Sequence, residues 1–247
     1  MDPGYAELPR TGRKEGKRGM SKAGDIVENP VTGERAVARV GTEESGGELL
    51  EVDLYVRPGG AVVGEHVHPA IEEAFTVTRG QVGFRIAGDE SIAELNKRLV
   101  VPPGVAHDWW NAGEEEAHVI VEIRPGLRFE EMAKNLHGLA QDGKTNAKGM
   151  PNLLQGAVLA REFEDVMYFT KPPRVVQRLL FGPLAVTARA LGYKGRYPKY
   201  ADLELPSGGQ GEGPPSTAEV MGRAATMAAM LLLTTFSLLK WRRNLSA

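Results

Sequence analysis

GGAVVGEHVHPAIEEAFTVTRG, Gly59 to Gly80, is the stretch on which the reading of this chain turns. His66 and His68 stand two residues apart, so on a strand both rings point to the same side. Beyond the Pro69-Ala70-Ile71 kink, Glu73 shares parity with the apolar Phe75 and Val77. If that parity marks the interior, Glu73 points inward, while Glu72 and Thr76 point out. A second stretch, VPPGVAHDWWN from Val101 to Asn111, carries His107 after a Pro-Gly turn. Two histidines, a carboxylate and a third histidine from another strand converge where a sheet closes on itself, as in a small barrel.

The surrounding sequence supports that geometry. From Asp25 to Pro125 the chain consists of short β-branched runs broken by Gly, Pro and Asp. Candidate strands are Arg35–Val40, Leu49–Val56, Ala61–His66, Glu73–Thr78, Gln81–Ile86, Lys97–Val101 and His118–Arg124. In the second of these, Leu50, Val52, Leu54 and Val56 share one face, and Glu51, Asp53 and Tyr55 the other. Turn signals at Pro58-Gly59-Gly60, Arg79-Gly80 and Gly88-Asp89 separate the runs, as in an antiparallel sandwich or barrel.

Composition narrows the chemistry. The 247 residues are 42% hydrophobic and 25% charged, with a net charge of −2. That is the balance of a globular protein with no overall attraction for nucleic acid. Cysteine is absent, which excludes a disulfide scaffold, a thiolate metal site and a cysteine nucleophile. Metal or acid–base chemistry falls to five histidines, the carboxylates and the hydroxyls. No Ser-His-Asp order, Walker loop or dinucleotide glycine fingerprint is present.

The spacing resembles the cupin double motif. Its first half reads Gly60, five residues, His66-Val67-His68, four residues, Glu73, six residues, Gly80; its second reads Pro102-Pro103-Gly104, two residues, His107, three residues, Asn111. Asn96 stands where the pattern usually opens its second half with glycine, a turn position that Asn tolerates. The resemblance covers Gly46 to Arg124. It implies an all-β, cupin-like antiparallel barrel or jelly roll, holding one divalent metal on His66, His68, Glu73 and His107. Imidazoles with one carboxylate suit Fe, Mn, Ni, Cu or Zn, and four protein ligands leave an octahedral ion two open positions.

On this reading the chain is a mononuclear-metal enzyme, an oxygenase or related redox enzyme acting on a small organic molecule. Glu73 would move between ligand and catalytic base. The alternative is a non-catalytic ligand-binding module tethered near a membrane. Trp109 and Trp110 follow His107, and only one of them can face a cavity. Phe75, Val77 and Phe84 are further wall candidates. His118 and His137 lie outside both motifs and are read as surface residues. A homodimer and a small-molecule ligand are the expected partners.

The flanks are read from composition. Residues 1–24 form a basic leader without the apolar run of a secretory signal, and Met20 is an alternative start. The barrel is assigned to 25–126 and a helical extension to 127–200, with helices at Leu127–Ala140, Pro151–Tyr168 and Arg174–Leu191, the last interrupted at Gly182-Pro183. Seven basic residues and no acid lie between Asp165 and Asp202, a solvated basic face or a lure for anionic lipid. A flexible linker is expected over 201–217, followed by an apolar C-terminal helix in 218–247. Ala224–Leu239, extended back to Val220, either enters a membrane or forms a buried docking helix. The protein is therefore expected in the cytoplasm or at a membrane.

Overall fold

Alternating side chains on short, turn-bounded runs produce two facing antiparallel sheets. The structure is a computed structural model that describes residues 20–61, 64–201, 213–228 and 230. Its strands are β1 (Ile26–Asn29), β2 (Glu34–Val40), β3 (Leu50–Val56), β4 (His66–Val67), β5 (Glu72–Arg79), β6 (Val82–Ile86), β7 (Asp89–Ile92), β8 (Arg98–Val101), β9 (Ala106–Asn111) and β10 (Ala117–Arg124). A last strand, β11 (Tyr168–Phe169), comes from far along the chain. One sheet has six strands in the order β1-β2-β3-β10-β5-β8; the other has five, β11-β4-β9-β6-β7.

The arrangement is a jelly roll. Convergence onto one interior comes from two facing sheets, without a continuous hydrogen-bonded ring among the described residues. Between them lie Val52, Val56, Phe75, Val77, Phe84, Val119, Val121 and Ile123, all buried. The inward set of β3 and β10 is the apolar parity seen in the sequence. Gly80 closes the turn after β5 at φ +80°, and a Cβ there would approach Ala117 Cα to 2.9 Å. Asn96 adopts φ +60°, the left-handed turn for which it was read.

Four strands have no counterpart in the sequence reading: β1, β7, β9 and β11. The expected run Ala61–His66 is reduced to an isolated bridge from Ala61 to Trp110 and the short β4; Val62 and Val63 lie outside the described residues. The first helix, α1 (Leu127–Gln141), has the expected extent. The second, α2 (Leu153–Glu162), stops well before Tyr168, because the following residues leave the helix to pair as β11. Its start is set by Asn152, whose side chain accepts the Gln155 N–H at 3.0 Å.

The third helix, α3 (Arg174–Ala190), runs unbroken through Pro183, correcting the expected interruption. The missing Pro183 N–H strands a carbonyl at Leu179, which is 71% exposed and open to water. Ala185 and Ala188 of α3 pack on Ala157 and Val158 of α2. A short helix, α4 (Pro198–Ala201), places Tyr200 over Gly138 of α1.

The acid-free stretch is not left as an open basic face. Arg178 pairs with Glu164, Arg189 with Glu162, Arg196 with Glu131 and Glu162, and Lys199 with Asp142. Among the described residues no helix is long and apolar enough to cross a membrane. The apolar segment beyond Met230, most of the linker and the leader through residue 19 lie outside them. Residues 20–24, read as the end of the leader, pack on the barrel: Ser21 is buried, and the Gly24 N–H donates to the Ala38 carbonyl.

Candidate metal centre

The site begins with register. His66 of β4 sits opposite His107 of β9, and Glu73 reaches in from β5, a strand of the other sheet, flanked there by Val101 and Ile123. His68 lies just past the end of β4. The turn at Pro102–Val105, with Gly104 at φ +82°, donates the Gly104 N–H to the His68 carbonyl at 2.8 Å. That bond ties the His107 loop to the first histidine pair.

His66, His68, Glu73 and His107 are all buried, and each offers a ligand atom within 4.8 Å of the others. Every imidazole in the group has its Nδ1 against a backbone carbonyl: His66 on Gly64 at 3.0 Å, His107 on Val105 at 3.1 Å, and His68 on Val166 at 2.7 Å. A carbonyl only accepts, so each Nδ1 carries hydrogen and each ring presents Nε2 to the centre. In His107 that nitrogen donates to the Glu73 carboxylate and must give up its proton to ligate a metal. His107 Nε2 lies 2.8 Å from Glu73 Oε2. His68 Nε2 is 3.4 Å from the same oxygen and, among the described residues, makes no hydrogen bond. Three convergent imidazole nitrogens, one of them orphaned, and a carboxylate fit a divalent ion.

The electrostatics match such a cluster. Burial, followed by the charges of His107 and His68, lowers the His66 pKa to about 4. Burial opposes protonation of His107, but its hydrogen bond and attraction to Glu73 outweigh that and raise its pKa. Burial likewise pushes Glu73 up, while the His107 hydrogen bond and the three imidazoles bring it below the usual range. Glu73 therefore stays anionic, the state in which it can bind metal.

The remaining motif residues shape the backbone. Asn111 donates to the carbonyls of Val56 and Glu115, both at 2.8 Å, and accepts the Gly113 N–H. A cavity of about 290 Å³ opens beside the cluster, with His66, His68 and Glu73 in its wall. Phe75 and Trp109 line it; Val77, Phe84 and Trp110 are not among its described walls. Phe84 stands behind Phe75, ring centroids 5.1 Å apart. Trp110 points the other way and covers Gly83.

Sequence reasoning missed what the extension contributes. β11 pairs with β4, Phe169 opposite His66, and Thr170 binds the Glu65 carbonyl through its N–H at 3.1 Å. The Val166 carbonyl orients His68 across 98 residues of chain. The Phe129 ring lies 5.7 Å from that of His68. Phe129, Phe163 and Met167 complete the wall. The only signal was the apolar texture of 127–169, which gives no partner.

Of the histidines outside the motifs, His118 lies on the outer face of β10, with Nε2 2.7 Å from Asp53 and Nδ1 2.8 Å from Thr78. His137 on α1 binds the Ala133 carbonyl and borders the cavity, which corrects its reading as a surface residue.

Comparison with known proteins agrees with the site. A family model described as a cupin domain matches residues 53–123. A protein of Streptomyces cyaneus named polyketide synthase CurC is 30% identical over 70 residues, 28% of this chain and 45% of that protein. The chain thus covers less than half the length of this curated relative. Among solved structures, a predicted oxalate decarboxylase of Thermotoga maritima is 17% identical over 41% of this chain and 90% of its own, with a TM-score of 0.37. An RmlC-like cupin of Shewanella frigidimarina is 18% identical over 41% and 85%, with a TM-score of 0.35. Motif, double sheet and family model coincide on the same segment, and residues 53–123 of this chain are a cupin domain.

Proposed function

We propose that the chain is a mononuclear-metal enzyme, an oxygenase or related redox enzyme, acting on a small carbon-rich molecule. The observation that carries this reading is a cluster of four buried donors, three of which, His66, His68 and Glu73, stand in the wall of an apolar cavity. When bound, the divalent ion would supply a Lewis-acid or redox centre with open positions. His66, His68, His107 and Glu73 would hold it. The three carbonyl-bound Nδ1–H groups fix ring orientation, so little reorganisation accompanies binding. Phe75, Trp109 and Phe129 exclude water and hold an apolar substrate against the donors. Glu73 Oε2, 2.8 Å from His107 Nε2, would be the site's proton acceptor. The name of the Streptomyces relative, a polyketide synthase, supports a carbon-rich substrate.

Metal analysis of the purified protein tests the first half: one first-row divalent ion per chain is expected, absent from His66→Ala and His107→Ala. Oxygen uptake with aromatic and thiol substrates tests the second. A protein without bound metal overturns the enzyme. A metal-loaded protein inert across a broad substrate panel favours a ligand-binding module, the reading that the apolar cavity also supports. In that case the uncharged segment 224–239 would serve as a membrane tether. Equal solubility with and without residues 218–247 would exclude the tether.

A further inference from the structure

The cavity is longer than a metal centre requires. Its walls cross the inner face of the six-stranded sheet, from Phe75 on β5 through Val121 on β10, Val52 on β3 and Ala36 on β2 to Val27 on β1. Those four inter-strand steps cover about 19 Å measured along the sheet. The roof is α1, through Phe129, Met132 and Leu136. A volume of about 290 Å³ drawn out over that span describes a slender channel, with the donors at one end.

The other end is polar. Ser21, Asp25, Glu130 and Lys134 border it. Glu130 and Lys134 form a buried ion pair at 2.5 Å, and the Thr42 hydroxyl also binds Glu130. Ser21 is 5% exposed, and among the described residues its Oγ has no hydrogen-bond partner. A buried hydroxyl without a partner costs stability unless something completes it. Its position on the cavity wall offers that completion to a ligand.

We infer that the channel takes an elongated molecule with an apolar body and a neutral hydrogen-bonding group at the end remote from the metal. The inference deepens the proposed function and rests on it for the identity of the near end. A neutral remote group is favoured because Asp25 and Glu130 border that end beside one cation, Lys134. An anionic terminus would meet both carboxylates.

The probes are 1,12-dodecanediol, 1-dodecanol and 1-hexanol, titrated by calorimetry and by quenching of tryptophan emission, with and without chelator. The diol should bind at least about tenfold more tightly than 1-hexanol in both states. Ala36→Phe, which fills the channel at β2, should remove that advantage and leave 1-hexanol unchanged. Ala133→Phe, filling it from α1, is the second blocking variant should the first fail to fold. Ser21→Ala should weaken the diol about fivefold, the loss of one hydrogen bond, and leave 1-dodecanol unaffected. Full affinity for the diol in both blocking variants overturns the inference, as does an unchanged diol affinity in Ser21→Ala. Loss of bound metal with diol binding intact would refute the enzyme and leave the channel standing.

Discussion

Each face of the six-stranded sheet meets a histidine–carboxylate cluster, and only one of them is built as a site. On the outer face His118 has both ring nitrogens engaged, by Asp53 and Thr78, and its ring stacks on Tyr55 at 4.5 Å. Asp53 is shared with Arg39, and Arg35 lies over Tyr55. The polar groups of that cluster are mutually engaged. On the inner face Nδ1 of each imidazole is spent on a carbonyl, the Nε2 atoms converge, and that of His68 is left over. Residue types alone do not separate the two clusters. What separates them is burial together with unspent coordinating capacity.

Removing the carboxylate from each face gives the sharpest contrast. Glu73→Ala should strip the protein of metal after dialysis, whereas Asp53→Ala should retain a full complement, both read by elemental analysis. The inner substitution should also cost the metal-free protein about 3 kcal/mol in denaturant unfolding, since it leaves His107 buried without its partner. Metal retained in Glu73→Ala would place the inner cluster in the same class as the outer one.

The next test concerns the support that reaches the inner face from the extension. Phe163 is buried, and its carbonyl accepts the N–H of Val166 and of Met167, both at 2.9 Å. Its side chain shares the buried core with that of Val166 and so seats the turn whose Val166 carbonyl holds His68. Phe163→Ala should cost about 3–5 kcal/mol in stability and roughly tenfold in metal affinity. Leu139→Ala, at a fully buried position of α1 without such a link, should cost about 2–5 kcal/mol and leave metal affinity unchanged. Equal affinities in the two variants would reduce the extension to a passive cover.

This division explains what the sequence disclosed. Of the strands holding donors, β5 was legible because β-sheet parity repeats every second residue, Glu73 with Phe75 and Val77, as it does in β3 for Leu50, Val52 and Leu54. The motif intervals placed His107 beside the His66 pair because a turn of Pro and Gly must precede it. β7 escaped because DESI is mostly polar and wholly exposed, β1 because IVEN does not alternate, and β11 because two residues give no period. The Val166 carbonyl escaped for a deeper reason: a backbone acceptor is the same at every residue, so no side chain announces it. The long channel was equally hidden, since Ala36 and Val27 become walls only when α1 lies across them.

Acid stability sharpens the contrast further. His66 has a folded pKa of about 4 against an ordinary 6.5. The unfolded chain binds that proton first, so His66 contributes stability that is complete above pH 6.5 and is lost as pH falls towards 4. The contribution is about 3 kcal/mol. His107 runs the other way, because its raised pKa adds stability at low pH that is lost as pH rises. Chelator-treated protein should therefore lose stability on the acid side, and His66→Gln should flatten that limb. An unchanged limb would mean that His66 is not buried as a neutral ring.

The smallest effect is expected on the outer face. His118→Gln removes the contacts to Asp53 and Thr78 and the stacking on Tyr55, yet His118 is only half-buried. Solvent screens the Asp53 contact, and Arg39 remains on that carboxylate at 3.1 Å, so no buried charge is left alone. A loss of about 1 kcal/mol in urea unfolding is expected, with metal content unchanged. His118 lies on β10, beside Thr78 of β5, and Glu73 is further along that same strand. A fall in metal content in this variant would mean that the outer network sets the register of β5 and reaches Glu73 through the backbone, joining the two faces into one site.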